Sequence, residues 1–165
     1  MALTPALWPA LKTAILAETN PTLVALRQAN DEQGMADWYN GASTAYCWRT
    51  SVSRAEIYNL TSGEATNWSW TFYKNQSAVE QNAWVQMFMG DQADFSQDNL
   101  RAGIAVIFTS ASAANATHAL AIGKKLATRG EKVFAAGTGT LQTPAKFGAF
   151  QGRLTAQDIS DALRA

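Results

Sequence analysis

The residues that most often build reactive or cross-linked sites are scarce in this chain. Cys47 is its one cysteine and His118 its one histidine in 165 residues. A lone cysteine excludes an internal disulfide framework, so the fold must be held by packing, as suits a reducing compartment. Two side chains cannot supply even three nitrogen or sulfur ligands for zinc. A Ser-His-Asp or Cys-His set would have to use His118, which falls mid-helix on an apolar stripe and reads as a structural histidine. Charge is thin as well: 16% of residues are Asp, Glu, Lys or Arg, against the usual quarter. Much of the surface must then be neutral Ser, Thr, Asn, Gln and Ala, which costs little to bury against a partner.

The phosphate-binding signatures are incomplete. Gly123-Lys124 has His118 where a P-loop needs its first glycine and Lys125 where it needs Ser or Thr. "GTGTLQ" at 137–142 has two of three dinucleotide-fold glycines and reads as a turn. No catalytic, cofactor-binding or metal-ligating residue is assigned; Asp91 with Asp94 reads as a solvated helix start. The N-terminus, "MALTPALWPALKTAIL", lacks the basic and continuous apolar stretches of a secretory signal. Sequon-like triplets at Asn59, Asn67, Asn75 and Asn115 are therefore discounted.

What is present is helical patterning and an uneven order of charge. Thr4-Pro5 predicts a first helix near 5–18, with Leu7, Leu11, Ala14 and Ile15 on one face. Asn20-Pro21 predicts a second, with Leu23 and Leu26 inward and Gly34 as its stop. Residues 44–60 read as helical, and 64–74 fit helix or strand equally. Ser77 with Glu80 forms a capping box before a helix at 78–89, closed by Gly90. "KFGAFQG" reads as extended, within a segment near 143–152, and Thr155 with Asp158 caps a short last helix to Leu163.

The stretch 98–135 is the most informative. Gly103 to Gly123 are 21 consecutive positions without a formally charged side chain. A membrane span is disfavoured by Ser110, Ser112, Asn115, Thr117 and His118 near the middle. Leu100, Ile104, Ile107, Ala111, Asn115, His118, Ile122 and Leu126 instead draw one helical stripe, with a second face of Ala and Ser. Unbroken from Asp98 to Ala135, that helix would be roughly 57 Å long, against about 40 Å for a compact sphere of this mass. Either it breaks, at Gly123, Gly130 or the Ser/Ala run, or the protein is elongated within an assembly. The fold expected is mainly α: a helical bundle in a single domain, 1–165, with a long or broken central helix near 98–135 and room for extended terminal arms.

Met1–Leu100 carries five Lys/Arg against ten Asp/Glu, and Arg101–Ala165 eight against three. The acidic residues Asp91, Asp94 and Asp98 and the basic residues Lys124, Lys125, Arg129 and Lys132 are candidate contacts with neighbouring copies or with DNA phosphates; the basic set would lie along one side of a helix. Six Trp (8, 38, 48, 68, 70 and 84), seven Phe and four Tyr read as core and interface material ahead of a base-stacking or carbohydrate platform.

Several segments together resemble small virion proteins of tailed bacteriophages. They are "DWYNGAS" at 37–43, "WRTSVSRAEI" at 48–57, "QNAWVQMFMGD" at 81–91, "NLRAGIAVIFTSASAANATHALAIGKKLATRGEKVFAAGTGT" at 99–140 and "FQGRLTAQDISDAL" at 150–163. The pattern is similar to the head-to-tail connector group, also called adaptor or head completion proteins. The resemblance implies a non-enzymatic, largely helical subunit without cofactors, assembled in the host cytoplasm into the virion. Its implied partners are copies of itself in a ring, the portal protein, the next connector or tail protein, and channel DNA without sequence specificity, with no membrane involved. Two alternatives stay open: a capsid decoration or tail component, and a phage nucleic-acid-binding or regulatory protein.

Overall fold

The computed structural model describes residues 3–58, 68–146 and 150–165. In chain order its elements are α1 (Trp8–Ala17), α2 (Pro21–Gln28), α3 (Glu32–Asn40), β1 (Ala42–Trp48), β2 (Val52–Ser53), α4 (Arg54–Tyr58) and α5 (Trp70–Lys74). There follow α6 (Ala78–Gln86), β3 (Gln92–Ala93), α7 (Asp98–Ile107), α8 (Ala113–Ile122), β4 (Lys124–Thr128), α9 (Arg129–Phe134) and α10 (Ala156–Arg164). The chain is mainly helical. It divides into two compact units, one of Met1–Cys47 with Leu126–Ala165 and one of Trp48–Lys125, so the second is inserted in the sequence of the first.

In the first unit, α10 packs on α1 and α3 around Leu11, Ile15, Leu23, Met35, Tyr39, Phe150, Leu154 and Ile159. The predicted first helix starts as one 3-10 turn, Pro5–Leu7, because Pro9 sits in the first turn of α1; the Thr4 hydroxyl makes no cap bond. Asn20 does cap α2, accepting from the Thr22 N–H at 3.0 Å. Gly34 is not the stop. The chain turns at Asn30, φ 53°, and Gly34 lies inside α3, whose cap Asp31 accepts the Gly34 N–H at 2.8 Å. A Cβ on Gly34 would come within 2.5 Å of both the Asp31 carboxyl and Leu26, so this glycine is there for closeness, not for termination.

The stretch 44–60 corrects a helical expectation. Residues 42–48 form β1, paired with β4, and bury Ala45 and Cys47 at period two, a signal hidden by the helical spacing of Tyr46 and the later apolar residues. Helix begins only at α4, where Ser53 Oγ accepts the Glu56 N–H and the Glu56 carboxylate accepts the Ser53 N–H. Val52 pairs with Ala93 across the antiparallel β2–β3 ladder. Residues 59–67 lie outside the described residues, including two of the sequon-like positions and the start of the 64–74 segment. From Ser69, which caps α5, the rest of that segment is helical.

The Ser77–Glu80 capping box is present, and its helix ends at Gln86, three residues early, before a turn holding Gly90 at φ 62°. Thr155–Asp158 forms its capping box too, and Asp158 further accepts the Leu3 N–H at 3.0 Å. In the predicted extended segment, Ala145 bridges Cys47 and Lys146 bridges Ala136; 147–149 lie outside the described residues.

The long central helix does not form. α7 and α8 meet at a 119° bend, and β4 replaces helix beyond Gly123. The break falls in the Ser/Ala run. Phe108 leaves helical geometry at φ −106°, ψ 87° and buries its ring edge-on against Trp68 and Trp84, with centroids 5.3 and 5.1 Å away. Ser112 Oγ donates to the Thr109 carbonyl at 2.8 Å, an alternative to the helical ladder of the kind short polar side chains offer. The stripe therefore changes phase: Ala111 is exposed and Ser112 buried, while Leu126 sits exposed in β4. No single helix among the described residues is long and apolar enough to cross a membrane.

Behind the bend, Asn115 is fully buried and bridges Ser69 with both ends of its amide: Oδ1 accepts the Ser69 N–H at 2.8 Å and Nδ2 donates to the Ser69 carbonyl at 3.0 Å. Replacing it leaves two backbone groups without partners. Asn115→Ala is expected to lower stability by about 2–4 kcal/mol in urea unfolding. Asn115→Asp, which keeps the acceptor and loses the donor, is expected to cost no less; a loss under about 0.5 kcal/mol for either contradicts this account.

Candidate functional site

Two surface features have the character of recognition sites, one in each unit. In the second unit the solvent sides of α8 and of α7 beyond its first turn, where Asp98 and Asn99 are exposed, are small and neutral: Ala102, Ala105 and Val106 on α7, and Ala113, Ala114, Thr117 and Ala121 on α8 are exposed. Val106 is 71% exposed. The opposite sides fill the core with Ile104, Ile107, Ala116 and Ala119. His118 is buried among them and donates from Nε2 to the Ile57 carbonyl at 2.9 Å, which makes its role structural.

The predicted charged residues are distributed differently from the expectation. Lys124 and Lys125 belong to β4 and the second unit, Arg129 and Lys132 to α9 and the first. They do not share a helix face, because Gly123 ends α8 and the lysines enter a strand. The sequence halves of opposite charge do not survive either. The first unit holds seven basic and seven acidic residues and the second six and six, so each is neutral.

All three acidic candidates are engaged locally. Asp91 pairs with Arg54 at 2.8 Å, and Asp98 with Arg101. Asp94 accepts from the Ser96 N–H and the Gln97 amide. Burial by itself would raise the Asp94 carboxyl, but the Ser96 hydroxyl, the Gln97 amide, the Ser96 N–H and the nearby Arg101 charge outweigh it and hold it below its ordinary range. The Arg101 guanidinium also lies 4.4 Å from the centroid of Trp48, and Lys124 Nζ 5.3 Å from the same ring.

In the first unit, a concavity of about 450 Å³ is lined by Glu18, Asn20, Trp38, Arg129, Lys132 and Val133, among others. The Thr128–Glu131 capping box starts α9 immediately beneath Arg129. Arg129 Nη1 donates to the Trp38 carbonyl at 2.8 Å, and its guanidinium carbon stacks 4.5 Å from the indole centroid. Glu18 turns one carboxylate oxygen back onto the Thr19 and Asn20 N–H groups, both at 2.9 Å. Tyr39 borders the site, its hydroxyl pushed well above the usual phenol range by burial and then by the charge of Glu18. Of these residues the sequence singled out Arg129 and Lys132. Trp38 was one of the six tryptophans read together as core and interface material, and nothing near Glu18 in sequence marked it.

No family model, no curated protein and no solved structure matches the chain.

No group of three His, Cys, Asp or Glu side chains among the described residues is placed to hold a metal ion. Three carboxylates, Glu56, Glu80 and Asp94, are held below their ordinary range and so favour the folded state where they are ionised. Burial would raise Glu56, but the Ser53 N–H, the Arg49 guanidinium and the Ser53 hydroxyl together hold it below the ordinary carboxylate range. A carboxyl depressed in the folded state stabilises fully above its unfolded value, about 4.3, and loses that contribution as pH falls through the folded value. Glu56→Gln is therefore expected to flatten the acid limb of the stability-pH curve, measured by urea unfolding. An unchanged limb contradicts the assignment.

Proposed function

We propose that the chain is a structural virion protein of a tailed phage, a head-to-tail connector or adaptor subunit. It assembles as a ring under the portal and joins head to tail around the DNA channel. The observation that carries the reading is the neutral, small-residue solvent side of α7 and α8. A surface of Ala, Thr and Val desolvates cheaply and admits a neighbouring backbone closely, and burying Val106 alone contributes about 1 kcal/mol or more. The five quoted segments supply the family context.

A ring requires a heterologous contact, in which one surface of a copy meets a different surface of the next. With both units neutral and the acidic residues engaged within the subunit, that contact depends on shape and apolar burial ahead of long-range charge. The capsid decoration or tail reading uses the same surface and differs in location. The nucleic-acid-binding reading has less support, since Lys124 and Arg129 each lie over a tryptophan of their own unit.

Electron microscopy of purified virions with the chain located by antibody is expected to place it at the neck; absence from virions overturns the proposal, and a position on the capsid or tail moves it to the alternative. Val106→Glu and Ala114→Glu are expected to leave far-UV circular dichroism unchanged and abolish incorporation, because a carboxylate buried without a partner costs several kcal/mol. Normal incorporation of both variants contradicts the proposed surface.

A further inference from the structure

We propose that the concavity of the first unit is a receptor for an acidic polypeptide segment. An Asp or Glu side chain enters between Arg129 and Lys132, while Trp38 and Glu18 hold the adjoining backbone.

Arg129 is fixed before any ligand arrives. Its Nη1 is tied to the Trp38 carbonyl and its guanidinium carbon lies over the Trp38 ring, 4.5 Å from the centroid. Gly41 makes room for it, since a Cβ there would collide with Nη1. The remaining guanidinium N–H groups have no acceptor among the described residues, and no carboxylate there lies within ion-pair distance of Arg129. A half-buried guanidinium held rigid with donors unused is preorganised for a carboxylate, and little freedom is lost when it binds one. Lys132 stands three residues further along α9 on the neighbouring helical position, exposed and likewise without an ion pair among the described residues.

Glu18 decides the class of anion. Its carboxylate shares the concavity with the two cations and makes no ion pair with either among the described residues. A phosphate dianion brings two charges and no N–H donor, so Glu18 repels it. A carboxylate on a polypeptide brings one charge together with backbone N–H groups, which Glu18 accepts. The volume, about 450 Å³, lies in the range of binding clefts. The part of the half-buried Trp38 indole that Arg129 leaves uncovered meets the segment's apolar atoms.

The proposal stands on the geometry of the first unit and not on the virion reading. Peptide binding succeeds or fails with the purified chain in solution, whereas the virion reading succeeds or fails in particles.

The test is a titration of the full-length isotope-labelled chain, following the tryptophan indole resonances, with Trp38→Phe to assign the Trp38 signal. The probes are a blocked Gly-Asp-Glu-Asp-Gly peptide, its Gly-Asn-Gln-Asn-Gly counterpart, inorganic phosphate and an oligothymidylate. The acidic peptide is expected to shift the Trp38 indole saturably and the neutral peptide to leave it unmoved. Lys132→Gln is expected to weaken peptide binding about fivefold and Arg129→Gln by more, while Glu18→Gln, which removes the charge that repels a dianion, is expected to let inorganic phosphate shift the Trp38 indole. Lys132 is exposed, so its variant keeps the test valid should Arg129→Gln fail to fold. Unchanged affinity in Lys132→Gln, equal binding of the neutral peptide, or a response to phosphate or oligothymidylate without one to the acidic peptide overturns the proposal.

Discussion

The seating of Phe108 edge-on against the stacked pair Trp68 and Trp84 is the constraint on which the second unit depends. An aromatic ring buried edge-on against two indoles contributes several kcal/mol through area and geometry, more than the few helical hydrogen bonds lost where the backbone turns. The 119° bend follows from that balance. α7 then presents Ile104 and Ile107 to the same core that α8 meets with Ala116 and Ala119, and the remaining sides of both helices are left to solvent. A straight helix would have carried its small-residue side along one line, whereas the bend divides it between two directions.

Each unit also uses an asparagine as a piece of backbone. Asn115 holds both polar groups of Ser69, and Asn40 does the same for Leu154, donating to its carbonyl and accepting its N–H, each at 2.8 Å. A side-chain amide carries one acceptor and one donor group in the arrangement of a peptide unit, so it closes a ladder where no strand is available. Such a buried polar bridge is costly when broken and specific when made, and it fixes chain segments far apart in sequence.

Local signals were the legible part of the sequence. The capping boxes at Ser77–Glu80 and Thr155–Asp158 and the Asn20 cap are governed by residues three apart or fewer, and each stands as expected. The apolar stripe correctly assigned Ile104, Ile107, Asn115 and His118 to the interior. What failed depended on distant partners. Ser43 Oγ donates to the Ala127 carbonyl across the β1–β4 pair, and neither strand announces itself without the other. Lys124 and Lys125 therefore read as helix. Trp38 and Glu18 come together with Arg129 across more than ninety positions of sequence, where periodicity carries no information.

The bend leaves the neutral sides of α7 and α8 to solvent, and the neighbouring subunit proposed above would cover them. Cys47, the native cysteine, is fully buried, so an exposed cysteine added at Ala114 reports that surface cleanly, with Cys47→Ala as background. Maleimide labelling of Ala114→Cys should be fast in the free chain and slower by about tenfold or more in intact particles. Equal rates in the free chain and in particles that contain it would contradict the account.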